Sequence, residues 1–261
     1  MFDYSKGWDW SVGNVKLHSR RKILWYARRL PFPAIRRYCK QRNIPLARAL
    51  EVGCGGAQFG IKFLASLANR VQMYFIDAAF PLLPIARDNI RQVFVKNTQA
   101  MEQRISCQDM LNLGFKDGQF DLVMNEGSYE HLHEKEVRMT FLRESMRMLK
   151  KGGCFVLAVP NDTNPLAASW KKHGYLWLSQ EKNPLYYELE FNATTLKREL
   201  EEAGFTDIYT DGYRLWDVLC VCPYTIPRRI LVFILKLLVP ELTRSIRIKF
   251  AFWLLVIGRK P

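Results

Sequence analysis

Residues 49–60 read ALEVGCGGAQFG and are followed at once by IKFLASLA. An apolar, strand-like run carrying one acid, Glu51, breaks into Gly53, Gly55 and Gly56 and passes directly into a helical pattern. A glycine-rich turn between a strand and a helix lets backbone N–H groups and the positive helix end approach a ligand, because no Cβ stands in the way. Two phosphate-binding versions of this turn fit poorly. The dinucleotide fingerprint needs Gly or Ala where the chain has Gln58, and the Gly-Lys-Ser/Thr of a P-loop is missing. What is left is an acid two residues ahead of the first glycine and a Gly-Cys-Gly-Gly turn, suited to a ligand with a nucleoside end and an amino-acid end.

Outward from this turn, apolar runs alternate as strand, helix, strand, with no internal repeat or low-complexity tract. The pattern predicts strands over 47–52, 71–76, 104–108, 120–125 and 154–159, and a last strand over 250–257. Helical patterns begin near Ala57, Phe80, His131 and Thr194. Such alternation predicts an α/β fold with a parallel sheet and helices on both faces. Lys151-Gly152-Gly153 reads as the close of a long helix over 134–150, with basic residues and glycine at its end.

Two segments stand outside the alternation. Residues 1–46 form a basic helical leader or cap, and 216–248 form an apolar-basic insertion that Pro240 divides. The main domain is then 47–261. Its stretch 160–191 is rich in aromatics, with Trp170, Tyr175, Trp177, Tyr186 and Tyr187. Lying between a strand end and a helix start, it reads either as a substrate lid or as aromatic packing on the sheet.

A chain of 261 residues with 49% hydrophobic content can bury one substantial core with appendages. Its six cysteines, Cys39, Cys54, Cys107, Cys154, Cys220 and Cys222, show no paired metal-ligand spacing, which predicts a reducing compartment and no metal site. The first residues lack the basic and apolar regions of a secretion signal, so a cytoplasmic location is expected. The apolar run 230–239 is half the roughly 20 residues of a spanning helix.

The net charge of +14 is uneven: residues 1–48 carry +10 and 225–261 carry +7, leaving −3 between them. Basic flanks suit an anionic surface, either lipid headgroups met peripherally or nucleic acid, although solubility alone also accounts for them. Ile230, Leu231, Phe233, Ile234, Leu237 and Leu238 fit one side of a short helix that either rests in a membrane interface or closes a pocket.

Seven ordered segments carry a family resemblance: LEVGCGG, YFIDAAFPLLPIARDN, ISCQDMLNLGF, FDLVMNEGSYEHL, RMLKKGGCFVLAVPN, FNATTLKRELEEAGFTDI and WLLVIGRKP. From about residue 47 onward the chain resembles a class I S-adenosylmethionine-dependent methyltransferase, most similar to the broad type-11 group. The resemblance implies a Rossmann-like, doubly wound, seven-stranded sheet, mostly parallel with one antiparallel strand, and S-adenosyl-L-methionine as cofactor. The cofactor set it implies begins with Glu51, Gly53, Cys54 and Gly55 of the first motif, with Ala57 where the family has its third glycine. Asp77, followed by Ala78, would accept from the ribose hydroxyls, and Asp109 from the adenine amino group, with Met110 bordering the ring. Asn125 and Glu126 would stand beside the methionine part, and Tyr129, Glu130 and His131 would face the transferred methyl.

Methyl transfer needs a nucleophile held in line with the C–S bond, exclusion of water and, for a protonated nucleophile, a base. His131 suits the base because its ordinary pKa of about 6.5 is near working pH, and Glu130 and His133 are the alternatives. An imidazole that only closes the loop remains the competing reading. The chain has Asn-Glu-Gly-Ser where nucleic-acid amino methyltransferases carry Asn/Asp-Pro-Pro-Tyr/Phe, and no paired cysteine of cytosine-C5 enzymes. The expected acceptor is therefore a small molecule, with lipophilic and lipid-linked compounds among the candidates. An RNA-modifying enzyme and a non-catalytic cofactor- or partner-binding member are the alternatives.

Overall fold

The computed structural model of the protein describes residues 31–67, 71–94, 104–165, 188–215 and 242–261, with Ile23 and Arg28. Seven strands within these residues form one sheet: β1 Arg48–Val52, β2 Gln72–Asp77, β3 Ile105–Cys107, β4 Phe120–Glu126, β5 Leu149–Pro160, β6 Thr206–Tyr213 and β7 Trp253–Arg259. Their spatial order is β3-β2-β1-β4-β5-β7-β6. The pairs from β3 to β5 are parallel, and β7 runs antiparallel to both its neighbours. This is the doubly wound, mostly parallel sheet with one reversed strand that the resemblance implies.

Alternation along each strand builds two cores. In β5, Cys154, Val156 and Ala158 face one cluster, while Phe155, Leu157 and Val159 face the other. Side chains two apart share a face, so a strand covered on both sides reads as a continuous apolar run. Helices α1 Phe32–Gln41, α2 Gln58–Ser66 and α3 Leu82–Val93 fill the first cluster. Helices α4 Lys135–Met148 and α5 Ala193–Glu202 fill the second.

α1, the described end of the leader, belongs to this core. Ile35 is fully buried, and the Phe32 ring lies 5.1 Å from Phe59 and 6.4 Å from Phe63 of α2. Arg36 donates to the Ser66 carbonyl at 2.5 Å, and the Tyr38 hydroxyl donates to the Asp207 carbonyl at 2.7 Å. At the other end, α6 Arg244–Phe250 is fixed by the side-chain amides of Asn161 and Asn164, which donate to carbonyls of Ile248, Phe250 and Ala251 at 2.8–2.9 Å. Arg247, partly buried, forms a fork with the buried Asp211, both contacts at 2.8 Å.

Two expected boundaries are corrected. The long helix stops at Met148, and Lys151-Gly152-Gly153 is not its cap but an irregularity inside β5. Leu149 is already extended, buried and paired with Phe120, and the register slips before Leu122 meets Cys154. Gly152 sits at φ +77°, and a Cβ on Gly153 would lie 3.0 Å from two carbonyl oxygens, so both glycines serve the bulge. Lys150 reaches Asp121 at 2.7 Å instead of a helix end. The helix expected near His131 begins at Lys135, because Tyr129–His131 close a separate 3₁₀ turn.

Residues 216–241 of the insertion, 166–187 of the aromatic stretch and 1–22 of the leader lie outside the described residues, as do the apolar face at 230–238 and all five aromatics named above. Among the described residues no helix is long and apolar enough to cross a membrane.

Candidate functional site

β1 and β4 are neighbours, with β2 continuing to one side and β5 to the other, and open α/β sheets bind ligands where the chain diverges in this way. A cleft of about 200 Å³ lies there, at the carboxyl ends of four strands. Across the sheet it runs from Asp109, Met110 and Leu111 after β3, through Asp77, Ala78 and Leu82, to the Gly53–Gly55 turn after β1. It ends at Glu126, Gly127, Ser128, His131 and Leu132 after β4.

The turn is held open from both sides. Gly53 has φ +67°, and a Cβ there would overlap the Ser128 hydroxyl. Gly55 has φ +49°, and its Cβ position meets only open space. Gly53 is fixed by room as well as by conformation, and at Gly55 any side chain would add backbone strain. Ala57 stands in the left-handed region at φ 58°, fully buried, with its N–H donating to the Cys54 carbonyl at 2.7 Å. Alanine follows the path of the third glycine at a cost of about 1–2 kcal/mol in backbone strain.

Asp77 ends β2 and braces this turn. Its carboxylate accepts from the Gly55 amide at 2.7 Å and from the Ala79 amide at 2.8 Å. Burial raises its pKa, and the two amide donors pull the other way. Each oxygen keeps a further acceptor site. Asp109 accepts from the Leu111 amide at 2.9 Å, which sets the loop carrying Met110 into the cleft.

Four of the expected site residues do not line the cleft. Glu51 is 2% exposed, accepts from the Gly60 amide at 3.1 Å and ties β1 to α2, and burial pushes its carboxyl well up. Asn125 is fully buried: it donates to the Val52 carbonyl at 2.9 Å and to Ser128 at 2.6 Å, and it accepts from the Tyr129 amide at 3.2 Å. It thus fastens the end of β1 to the turn after β4.

Tyr129 points away from the cleft, its hydroxyl donating to Glu199 at 2.5 Å, where Arg138 also binds at 2.7 Å. The cause is the 3₁₀ turn: with three residues per turn, successive side chains leave the backbone about 120° apart, so Tyr129, Glu130 and His131 cannot all point into the cleft. Glu130 is 1% exposed, and one of its oxygens, Oε2, has no hydrogen-bond partner. Burial pushes its carboxyl well up, and the nearby charge of Glu188 adds to this.

His131 does reach the cleft. Burial, and then the charge of His133, push its pKa down to about 4, so the imidazole is uncharged at neutral pH. Glu126 faces the same end and accepts from the Tyr213 hydroxyl at 2.9 Å. Sequence reading missed Ser128, the partner that makes Gly53 obligatory, and the apolar wall of Leu82, Leu111 and Leu132. No local pattern singles these out, because each matters only through residues brought near by the sheet. Glu188, 57 positions after His131, was missed for the same reason.

The donor set suits the cofactor that the sequence suggested. Apolar side chains with an acid occupy one end, a two-oxygen acceptor the middle, a side-chain-free turn follows it, and an acid with an uncharged imidazole closes the other.

Comparison with known proteins bears on the family and the fold. A family described as "Methyltransferase domain" matches residues 50–157. The chain is 23% identical over 177 residues to a probable tRNA methyltransferase 9B of Bos taurus, covering 66% of this chain and 31% of the relative. It is 25% identical over 186 residues to a probable S-adenosylmethionine-dependent methyltransferase of Mycolicibacterium smegmatis, covering 69% and 59%. The chain thus spans less than two thirds of either relative. Its fold is similar to that of Haemonchus contortus phosphoethanolamine N-methyltransferase 2 in complex with phosphomonomethylethanolamine and S-adenosylhomocysteine. There the TM-score is 0.56 at 14% identity, covering 100% of this chain and 61% of the other.

Proposed function

We propose, from the premise that this chain belongs to the class I S-adenosylmethionine-dependent methyltransferases of the type-11 group, that it transfers the cofactor's methyl group to a small-molecule acceptor. The observation that carries the reading is the single cleft in which Gly53–Gly55, Asp77, Asp109, Met110 and His131, from four strand ends, meet in strand order.

The cofactor supplies an electrophilic methyl on a sulfonium. Asp77 accepts from the ribose hydroxyls, Leu82, Met110 and Leu111 border the adenine, and Asp109 accepts from its amino group. The Gly53–Gly55 turn admits the amino-acid part. His131 and Glu126 stand at the acceptor end, where an uncharged imidazole lone pair serves a nucleophile that must shed a proton. Asn125, Tyr129 and Glu51 act by positioning the strand ends, through the bonds described above.

The small-molecule reading draws on the phosphoethanolamine substrate of the Haemonchus contortus protein and on the Asn-Glu-Gly-Ser end of β4. Within it, the basic flanks favour a lipophilic or lipid-linked acceptor met at an anionic membrane surface. A second reading, RNA modification, is favoured by the same charge and by the likeness to the bovine probable tRNA methyltransferase. The test is incubation with methyl-labelled cofactor and, separately, a small-metabolite extract, a lipid extract and bulk tRNA. Label in the first or second is expected. Label in tRNA alone refutes the small-molecule reading, and cofactor binding with label in none identifies a non-catalytic member.

A further inference from the structure

We propose that Glu130, His131 and Glu188 form a divalent-cation site at the acceptor end of the cleft. One potential ligand atom from each lies within 4.8 Å of the other two, the one such cluster among the described residues. Donors around an ion at about 2.0–2.2 Å stand roughly 3 to 3.5 Å apart, within reach of small rotations of the two glutamates.

A second observation points to a ligand. The Glu130 carboxylate is 1% exposed and its Oε2 has no hydrogen-bond partner, a costly arrangement unless a ligand engages that oxygen. Two carboxylates this close repel each other unless a cation or a proton lies between them. A divalent ion balances both charges, and the third donor is an imidazole, the commonest protein metal ligand. The other Glu130 oxygen, Oε1, lies 3.9 Å from where a Cβ on Gly127 would stand, and Gly127 and His131 both line the cleft.

Two carboxylates and one imidazole suit Mn²⁺ or Zn²⁺, between the all-oxygen and sulfur-rich extremes. Three protein donors leave at least one position for an oxygen or nitrogen of the acceptor. With the ion bound, the His131 lone pair is taken up in coordination, so the ion replaces the imidazole's direct role as base: coordination lowers the pKa of the acceptor group and its proton passes to solvent. The proposal departs from the absence of a metal expected from cysteine spacing, because Glu188 enters only through tertiary structure.

The full chain, stripped with EDTA, is titrated with Mn²⁺ alone, following loss of the free ion's EPR signal, and with Zn²⁺ by equilibrium dialysis. One ion per chain is expected, with affinity falling at least about tenfold in Glu188→Gln and further in Glu130→Gln. S-adenosylmethionine binding, measured calorimetrically on the same samples, is expected to persist in Glu188→Gln, which separates loss of the ion site from loss of the fold. Uptake of neither ion by the wild-type chain, or unchanged uptake in Glu188→Gln, overturns the proposal and leaves the cofactor reading intact.

Discussion

Replacing Asp77 with alanine tests the centre of the cofactor reading. In the structure its two oxygens accept the Gly55 and Ala79 amides at 2.7 and 2.8 Å, so the side chain both shapes the glycine turn and presents acceptors to the cleft. In the proposed cofactor complex it would take two further hydrogen bonds from the ribose, each to a charged acceptor. Hydrogen bonds to charged groups contribute about 1.5–3 kcal/mol, and part of the loss is recovered by water, giving about 2–4 kcal/mol in all. Cofactor affinity should therefore fall roughly 30- to 1000-fold. Isothermal titration with S-adenosylmethionine and S-adenosylhomocysteine measures this, and thermal unfolding of the free protein reports separately on the lost turn contacts. Asp77→Asn, which keeps one carbonyl acceptor, should fall between the two. Unchanged affinity in a folded Asp77→Ala variant would refute the assignment of this cleft to the cofactor.

His131→Ala removes the uncharged imidazole from the acceptor end and should lower turnover by about 10²- to 10⁴-fold with cofactor affinity nearly intact; a variant that keeps most of its turnover would show a structural role. Glu199→Ala strands Arg138 and the Tyr129 hydroxyl in the second core, so a loss of about 3–5 kcal/mol in denaturant unfolding is expected, and a loss under about 1 kcal/mol would mean that water replaces the carboxylate. If the basic flanks meet a membrane, sedimentation with anionic vesicles should weaken with salt, by about 1 kcal/mol per basic residue near the surface, and with Phe233→Ser and Leu237→Ser. No association at low salt would end the membrane reading.

Much of the fold was legible because it rests on local periodicity. The run ALEVGCGG followed by IKFLASLA carries a strand, a turn needing positive φ and a helix within a few residues, and β1 and the start of α2 fall within a residue of where they were expected. β6 was not delimited, since TDIYTDGY alternates weakly and Asp207, at φ +48°, sits where its pairing slips. Basic residues and glycines at 150–153 imitate a helix end, and only the pairing of Leu149 with Phe120 makes them a bulge.

The site divides along the same line. Asp77 and the Gly53–Gly55 turn could be placed from sequence because each lies at a strand end, and strand ends in a parallel sheet share one edge. Tyr129, Glu130 and His131 could not be sorted, because adjacent residues differ only in direction and a 3₁₀ turn sends one to Glu199, one into the interior with an oxygen lacking a partner and one to the cleft. Ser128 against Gly53, and Glu188 beside Glu130, depend on contacts between segments 75 and 58 residues apart. Sequence determines which residues can form strands, turns and helices, since those preferences act over a few bonds. Which polar groups end up sharing a buried volume is decided only by packing the sheet, where the loss of water makes each partner matter.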